Sequence, residues 1–142
     1  MGGETSRAAL RSVVLDCTDA RALAEFYREL LGWGYRPGDE PPPPGRPDDA
    51  GRDWLVLRAP HGGTDLAFQQ VGQLPRATWP EGPHPQQLHL DLAVGTAEAL
   101  DAEHERVLGL GAQLLRDRRE DPDEPLYVYA DPAGHPFCVF VG

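Results

Sequence analysis

Apolar and polar side chains alternate most regularly in mid-chain, at Gln86-Gln87-Leu88-His89-Leu90-Asp91-Leu92-Ala93-Val94. A period of two predicts a half-buried strand with Leu88, Leu90, Leu92 and Val94 on the packed face and Gln87, His89 and Asp91 on the other. Imidazole and carboxylate then point the same way, into a cleft or simply into solvent. Upstream, residues 11–17 are rich in β-branched side chains and bounded by Thr18-Asp19, two good N-cap candidates, which predicts a strand followed by a helix. From residue 20 to 31 the apolar positions Ala20, Leu23, Ala24, Tyr27, Leu30 and Leu31 recur at three and four, and Gly32 stops the helix. Residues 33–36 read as a short strand, and residues 54–58 and 65–71 as a hairpin around Pro60-His61-Gly62-Gly63. After the mid-chain strand, Thr96 caps a second helix through Val107 or Leu108, with Ala97, Leu100, His104, Val107 and Leu108 on one face. Asp101, Glu103, Glu105 and Arg106 then lie mostly in solvent. Strands over 112–116, 126–130 and 137–141 follow, the last entered through a tight turn at Asp131-Pro132-Ala133-Gly134.

Two segments break the pattern. Residues 37–53, with Pro41-Pro42-Pro43-Pro44 and many acids and glycines, bury too little apolar area to order themselves and read as an exposed loop. Residues 72–85 carry Pro75, Pro80, Pro83 and Pro85 and read as a connector, although Trp79 inside it implies a packing partner. The remaining order of strand, helix and three strands occurs twice. A shift of 77 positions (89 − 12 = 77) lays Ser12 on His89, Leu15 on Leu92, Leu31-Gly32 on Leu108-Gly109 and Gly34 on Gly111 without a gap. The last strands correspond if Phe68-Gln69 is laid on Phe137-Cys138. That is the signature of a duplicated unit.

The 142 residues suit one domain, and the formal net charge of −10 argues against nucleic acid or an anionic membrane surface as partner. It suits a cationic ligand, or merely solubility. No apolar run suggests a leader or a span, so a cytoplasmic protein is the expectation. Cys17 and Cys138 are too few for a disulfide framework. All basic residues besides the histidines are Arg, and Lys, Ile and Asn are absent, which points to a GC-rich bacterial genome. His104-Glu105 opens like a zinc-protease helix but lacks the second His.

The chain resembles the vicinal-oxygen-chelate superfamily of glyoxalase I, extradiol dioxygenases and bleomycin-resistance proteins, and within it the glyoxalase-like domain group. The resemblance rests on Asp19 through Phe26-Tyr27 to Leu31-Gly32-Trp33, on Phe68-Gln69, Trp79-Pro80, the stretch from Pro85 to Asp91, Gly109-Leu110-Gly111-Ala112, and Asp131-Pro132-Ala133-Gly134-His135-Pro136-Phe137-Cys138. It implies an α+β fold of two tandem βαβββ modules, over residues 11–71 and 87–142 with a Pro-rich connector at 72–86, whose curved mixed sheets surround a shared cleft. Many relatives dimerise, so a homodimer is expected.

Metal-using members place ligands at four strand positions, which fall here on Ser12, Gln69, His89 and Cys138. Only His89 is a usual ligand for a divalent ion, and no carboxylate base stands at any of the four. The expectation is therefore a small organic ligand held without the usual metal, with no cofactor. Ser12, Val14, Gln69, His89, Asp91 and Cys138 would share one face, Trp79 would stand at the rim beside Trp33 and Trp54, and His89 tuned by Asp91 would act as acid or base in a metal-free reaction. Each Trp reads equally as core, and Cys138 as an inert apolar strand residue. The alternatives are a lyase, isomerase or dioxygenase holding one divalent ion through His89, Gln69 and Cys138, and a non-catalytic dimerising scaffold. Whether any reaction is catalysed stays open at this level.

Overall fold

The computed structural model describes residues 7–142. Strand β1 (Ser12–Cys17) runs into helix α1 (Ala20–Leu31). The Asp19 carboxylate accepts from the Ala22 N–H at 3.0 Å, closing the helix start. At the other end Gly32 takes a left-handed φ of 71° and donates to the Arg28 carbonyl, a conformation that a residue with a Cβ adopts only under strain. The buried stripe is wider than the period predicts: Phe26 is buried, whereas Leu31 is half-buried. Phe26 meets Phe137 of the second module edge to face at 5.9 Å, so α1 is covered on two sides.

Strands β2 (Gly34–Tyr35), β3 (Trp54–Arg58) and β4 (Asp65–Gln70) complete a sheet of order β1-β4-β3-β2, in which only β1 and β4 are parallel. The second copy consists of β5 (Leu90–Val94), helix α2 (Ala97–Gly109), β6 (Gln113–Arg118), β7 (Leu126–Ala130) and β8 (Pro136–Val141). Its sheet has the matching order β5-β8-β7-β6, again parallel only between its first and last strands. The fold is α+β with two similar βαβββ modules.

Two expectations need correction. The mid-chain strand begins at Leu90 rather than near Gln86, and Leu88 is 48% exposed instead of packed. The chain there still belongs to the connector, whose local pairing is a bridge between Thr78 and Pro85. Residues 37–53 are mostly exposed, yet they are tied down. The Arg21 guanidinium grips both Asp48 oxygens (2.8 and 2.9 Å) and the Asp39 carbonyl (2.6 Å), and the buried Asp39 carboxylate accepts from the Val56 N–H at 2.9 Å. Charge-assisted hydrogen bonds supply the order that apolar burial cannot. Arg106 is exposed, as the helix pattern predicts, and it also finds partners. It donates to the carbonyls of Glu29 and Leu30 at 3.0 and 2.8 Å, satisfying the open C-terminal turn of α1.

One core runs through both modules and includes Tyr27, Phe68, Tyr129 and Phe137. At its centre the Tyr27 hydroxyl donates to Asp131 Oδ2 at 2.7 Å, while Asp131 Oδ1 accepts from the N–H groups of Ala133 and His135. Burial outweighs these bonds and raises the Asp131 carboxyl above its ordinary range, and it raises Tyr27 as well. Among the described residues no helix is long and apolar enough to cross a membrane.

Candidate functional site

Each sheet buries one face against the helices and presents the other. In the first sheet, the register pairs Ser12 with Asp65, Val14 with Ala67 and Asp16 with Gln69, and continues from Gln69 to Trp54 and from Ala67 to Val56. These side chains stand opposite Leu15, Phe68 and Leu55, which lie in the core. Near the C-terminal end of β1, this face forms one wall of a cavity of about 340 Å³. Val14, Asp16 and Gln69 line it from the sheet, residues between Leu74 and Leu88 from the connector, and Ala133, His135 and Pro136 from the turn into β8.

The cavity's polar lining carries both acceptors and donors. His135 Nε2–H donates to the Asp16 carbonyl at 2.6 Å. Gln86 Oε1 is buried and finds no hydrogen-bond donor among the described residues. The Asp16 carboxylate and the Gln69 amide add further oxygens, and no Arg lines the space. A second cavity of about 250 Å³, on the same sheet face, is different: Ser12, Trp54, Val56 and Asp65 stand there among Arg11, Arg36 and Arg58.

In the second sheet, Asp91 faces Cys138 across the parallel pair, and the row continues through Val128 to Arg116. His89 precedes the strand by one residue, and its Nε2 lies 3.2 Å from Asp91 Oδ1. Ligand atoms of His89, Asp91 and Cys138 all lie within 4.8 Å of one another. Burial, reinforced by the Asp91 carboxylate, pushes the Cys138 thiol up to about 11. At the far end of the row the Arg116 guanidinium sits 4.9 Å from the centre of the Trp79 ring, which is the packing partner that the connector's indole required.

The six residues expected on one shared face therefore divide into three groups. Val14 and Gln69 line the larger cavity, Ser12 lines the smaller, and His89, Asp91 and Cys138 cluster on the other sheet, lining neither. Trp54 borders the smaller cavity, Trp33 packs against the core, and Trp79 covers Arg116. The reason is topological: strand alternation assigns a face within a sheet and says nothing about how two sheets are set. Sequence reasoning missed Asp16, His84, Gln86 and His135. Asp16 was available, since it is two residues beyond Val14 on the same strand face.

The ladders also revise the internal correspondence. With Val14 on Asp91, 77 positions apart, their partners Ala67 and Cys138 must coincide, 71 positions apart, and Gln69 then falls on Phe140. The first-module counterpart of Cys138 is Ala67, which carries no donor. With either residue at that position, the four-position set offers His89, one thiol and at most neutral oxygens. It does not fit a divalent cation.

Comparisons with known proteins agree with this architecture. The chain matches a solved glyoxalase/bleomycin resistance protein/dioxygenase family enzyme from Burkholderia phytofirmans PsJN at 19% identity and a TM-score of 0.67, over 94% of this chain and 98% of that one. A glyoxalase/dioxygenase from Nostoc punctiforme matches at 17% identity and a TM-score of 0.68, over 99% and 95%. A lactoylglutathione lyase from Agrobacterium tumefaciens matches at 18% identity and a TM-score of 0.59, over 97% and 96%. At such identities the likeness is one of fold. A comparison with curated proteins returns no match. The family described as Glyoxalase-like domain matches residues 12–140, from the first residue of β1 almost to the end of β8. The chain thus belongs to the glyoxalase-like domain family, within the vicinal-oxygen-chelate superfamily.

Proposed function

We propose that this protein binds a small organic molecule in the 340 Å³ cavity between the first sheet, the connector and the turn into β8, without the usual four-ligand metal and without another cofactor. The observation that carries the reading is the cavity's wall, in which Val14, Leu74 and Leu88 are interleaved with Asp16, Gln69 and Gln86, the last with an unpaired buried Oε1. An apolar body is desolvated by the aliphatic groups, and a few polar groups fix its orientation. Because Gln86 Oε1 has no donor and Asp16 brings a negative charge with no Arg in the wall, the preferred ligand carries an N–H or O–H donor. A protonated amine fits best. The acidic chain as a whole supports the same sign of ligand.

A thermal-shift panel of small amines against matched carboxylates tests this, because a ligand that binds only the folded state raises its melting temperature. Benzylamine and its homologues are expected to stabilise the protein and benzoate is not. A panel in which no amine shifts the transition, or in which benzoate shifts it more, would falsify the reading.

A second reading, metal-dependent lyase, isomerase or dioxygenase chemistry at His89, has one observation on its side, the three-donor cluster with Asp91 and Cys138. In a metal-free reaction, Asp91 at 3.2 Å would orient His89 as acid or base. For assembly we propose a homodimer. All six residues of the edge strand β6 are exposed, including Leu114 and Leu115, and an open edge with apolar side chains favours pairing. Sedimentation equilibrium at micromolar concentration reads the mass directly.

A further inference from the structure

We infer that the smaller cavity on the first sheet binds a phosphoryl group, and that its preferred ligand is a small phosphate monoester whose organic part lies against Trp54 and Val56. The site is separate from the amine cavity, since no residue lines both.

The ladders gather three arginines from three parts of the chain. Arg58 ends β3 and is paired with Gly34 of β2, which adds no side chain beside it. Arg36 follows β2 and donates its backbone N–H to the Val56 carbonyl, which sets it next to β3. Arg11 precedes Ser12, the partner of Asp65 at the start of β4, and its carbonyl accepts from the Asp65 N–H. All three side chains line one space of about 250 Å³. The whole chain holds 23 acidic residues against 13 Arg, whereas this wall holds three Arg against one Asp. The local charge is thus opposite in sign to that of the molecule.

The nearby carboxylates leave this excess in place. Asp65 Oδ1 accepts from the Ala59 N–H at 2.8 Å, and among the described residues neither Arg11 nor Arg58 forms an ion pair. Arg36 does pair, at 3.1 Å with the buried Asp39, whose carboxylate is itself held by the Val56 N–H. That pair anchors one guanidinium at the edge of the cavity. Like charges around one concave space repel, and a bound anion relieves the repulsion.

The donor set selects the anion. Three guanidinium forks and the Ser12 hydroxyl offer more N–H and O–H groups than the two oxygens of a carboxylate accept. A phosphate monoester presents three strong acceptor oxygens with up to two negative charges, and guanidinium binds such oxygens in pairs. A bare phosphate leaves most of the volume empty, while the Trp54 indole and the buried Val56 side chain supply apolar surface for an organic body.

Isothermal titration calorimetry at low ionic strength, with phenyl phosphate as the probe, tests the assignment. The expected result is saturation at one equivalent per chain, at least tenfold tighter than benzoate, with displacement by inorganic phosphate. Arg11→Gln and Arg58→Gln should each weaken phenyl phosphate at least tenfold, with far-ultraviolet dichroism reporting that each variant is folded. Arg46→Gln removes an equal charge from the exposed loop and should leave binding unchanged. Phenyl phosphate binding no tighter than benzoate, or resisting displacement by inorganic phosphate, overturns the site. So does wild-type affinity in folded Arg58→Gln or Arg11→Gln, or an equal loss in Arg46→Gln.

Discussion

The two modules share strand order, pairing sense and a side-chain cap at the helix start, yet the faces they present carry different chemistry. In the first sheet the row from β1 inward is Val14, Ala67 and Val56, an aliphatic floor beside a cavity. In the second the corresponding row is Asp91, Cys138 and Val128, with an imidazole at its edge. Duplication preserves what folding needs, namely apolar alternation on the packed face and a side-chain cap at each helix start, because both copies must bury the same kind of surface. The presented face has no such constraint. One copy presents a cavity wall and the other the cluster of His89, Asp91 and Cys138.

The contrast is meaningful only while the modules stay joined, and the joint can be broken. Asp131→Ala removes the acceptor of the Tyr27 hydroxyl and of two N–H groups in the core, at a cost on the order of 3 kcal/mol in urea unfolding. Its pH dependence has a definite sign. Burial raises the native carboxyl above 3.8, so its protonation stabilises the fold fully below 3.8, and this is lost as pH rises through the raised native value. Wild type should therefore gain on the variant when acidified through that window. A gap independent of pH would mean that Asp131 titrates alike in folded and unfolded chains.

Next in size is a crossed experiment on the two faces. Val14→Trp fills the first-sheet cavity and should weaken amine binding more than tenfold, about 1.4 kcal/mol or more, while Cys138→Ser on the other sheet should leave it unchanged. A Cys138→Ser variant that binds amine as weakly as Val14→Trp would merge the two faces into one site and end the comparison.

A smaller effect concerns the first module's loop. Arg21→Ala should cost about 1–2 kcal/mol, because the half-exposed Asp48 and the Asp39 carbonyl lose their donor. Proteolysis within residues 37–53 should accelerate. Arg21 holds the Asp48 carboxyl below 3.8, so this stabilisation is present above 3.8 and is lost as pH falls through the lowered native value, the opposite sign to Asp131. A cleavage rate equal to wild type would show the loop to be ordered by something else. The smallest effect is expected for Trp79→Ala, about 0.5–1 kcal/mol from the contact with Arg116 in the second sheet. Thermal unfolding of that variant beside Arg116→Ala and the double variant isolates the pair.

The amino-acid order by itself determined the elements and their repetition. Period-two and period-3.6 patterns, Asp19 and Thr96 as caps, and Gly32 as a stop are local features, and local sterics and hydrogen bonds enforce them wherever the chain goes. The family was legible for the same reason, since the Asp131 turn and the duplicated helix ends are written in consecutive residues. Tertiary structure alone decided the rest. Burial of Phe26, the two carbonyls taken by Arg106, and the Ala67 counterpart of Cys138 depend on residues far apart in the chain. So does the division of six expected site residues into two cavities and one cluster. Alternation tells a side chain which face of its own sheet to take, but the relation between sheets is set by packing across the common core at Tyr27, Phe137 and Asp131, where no short-range pattern operates.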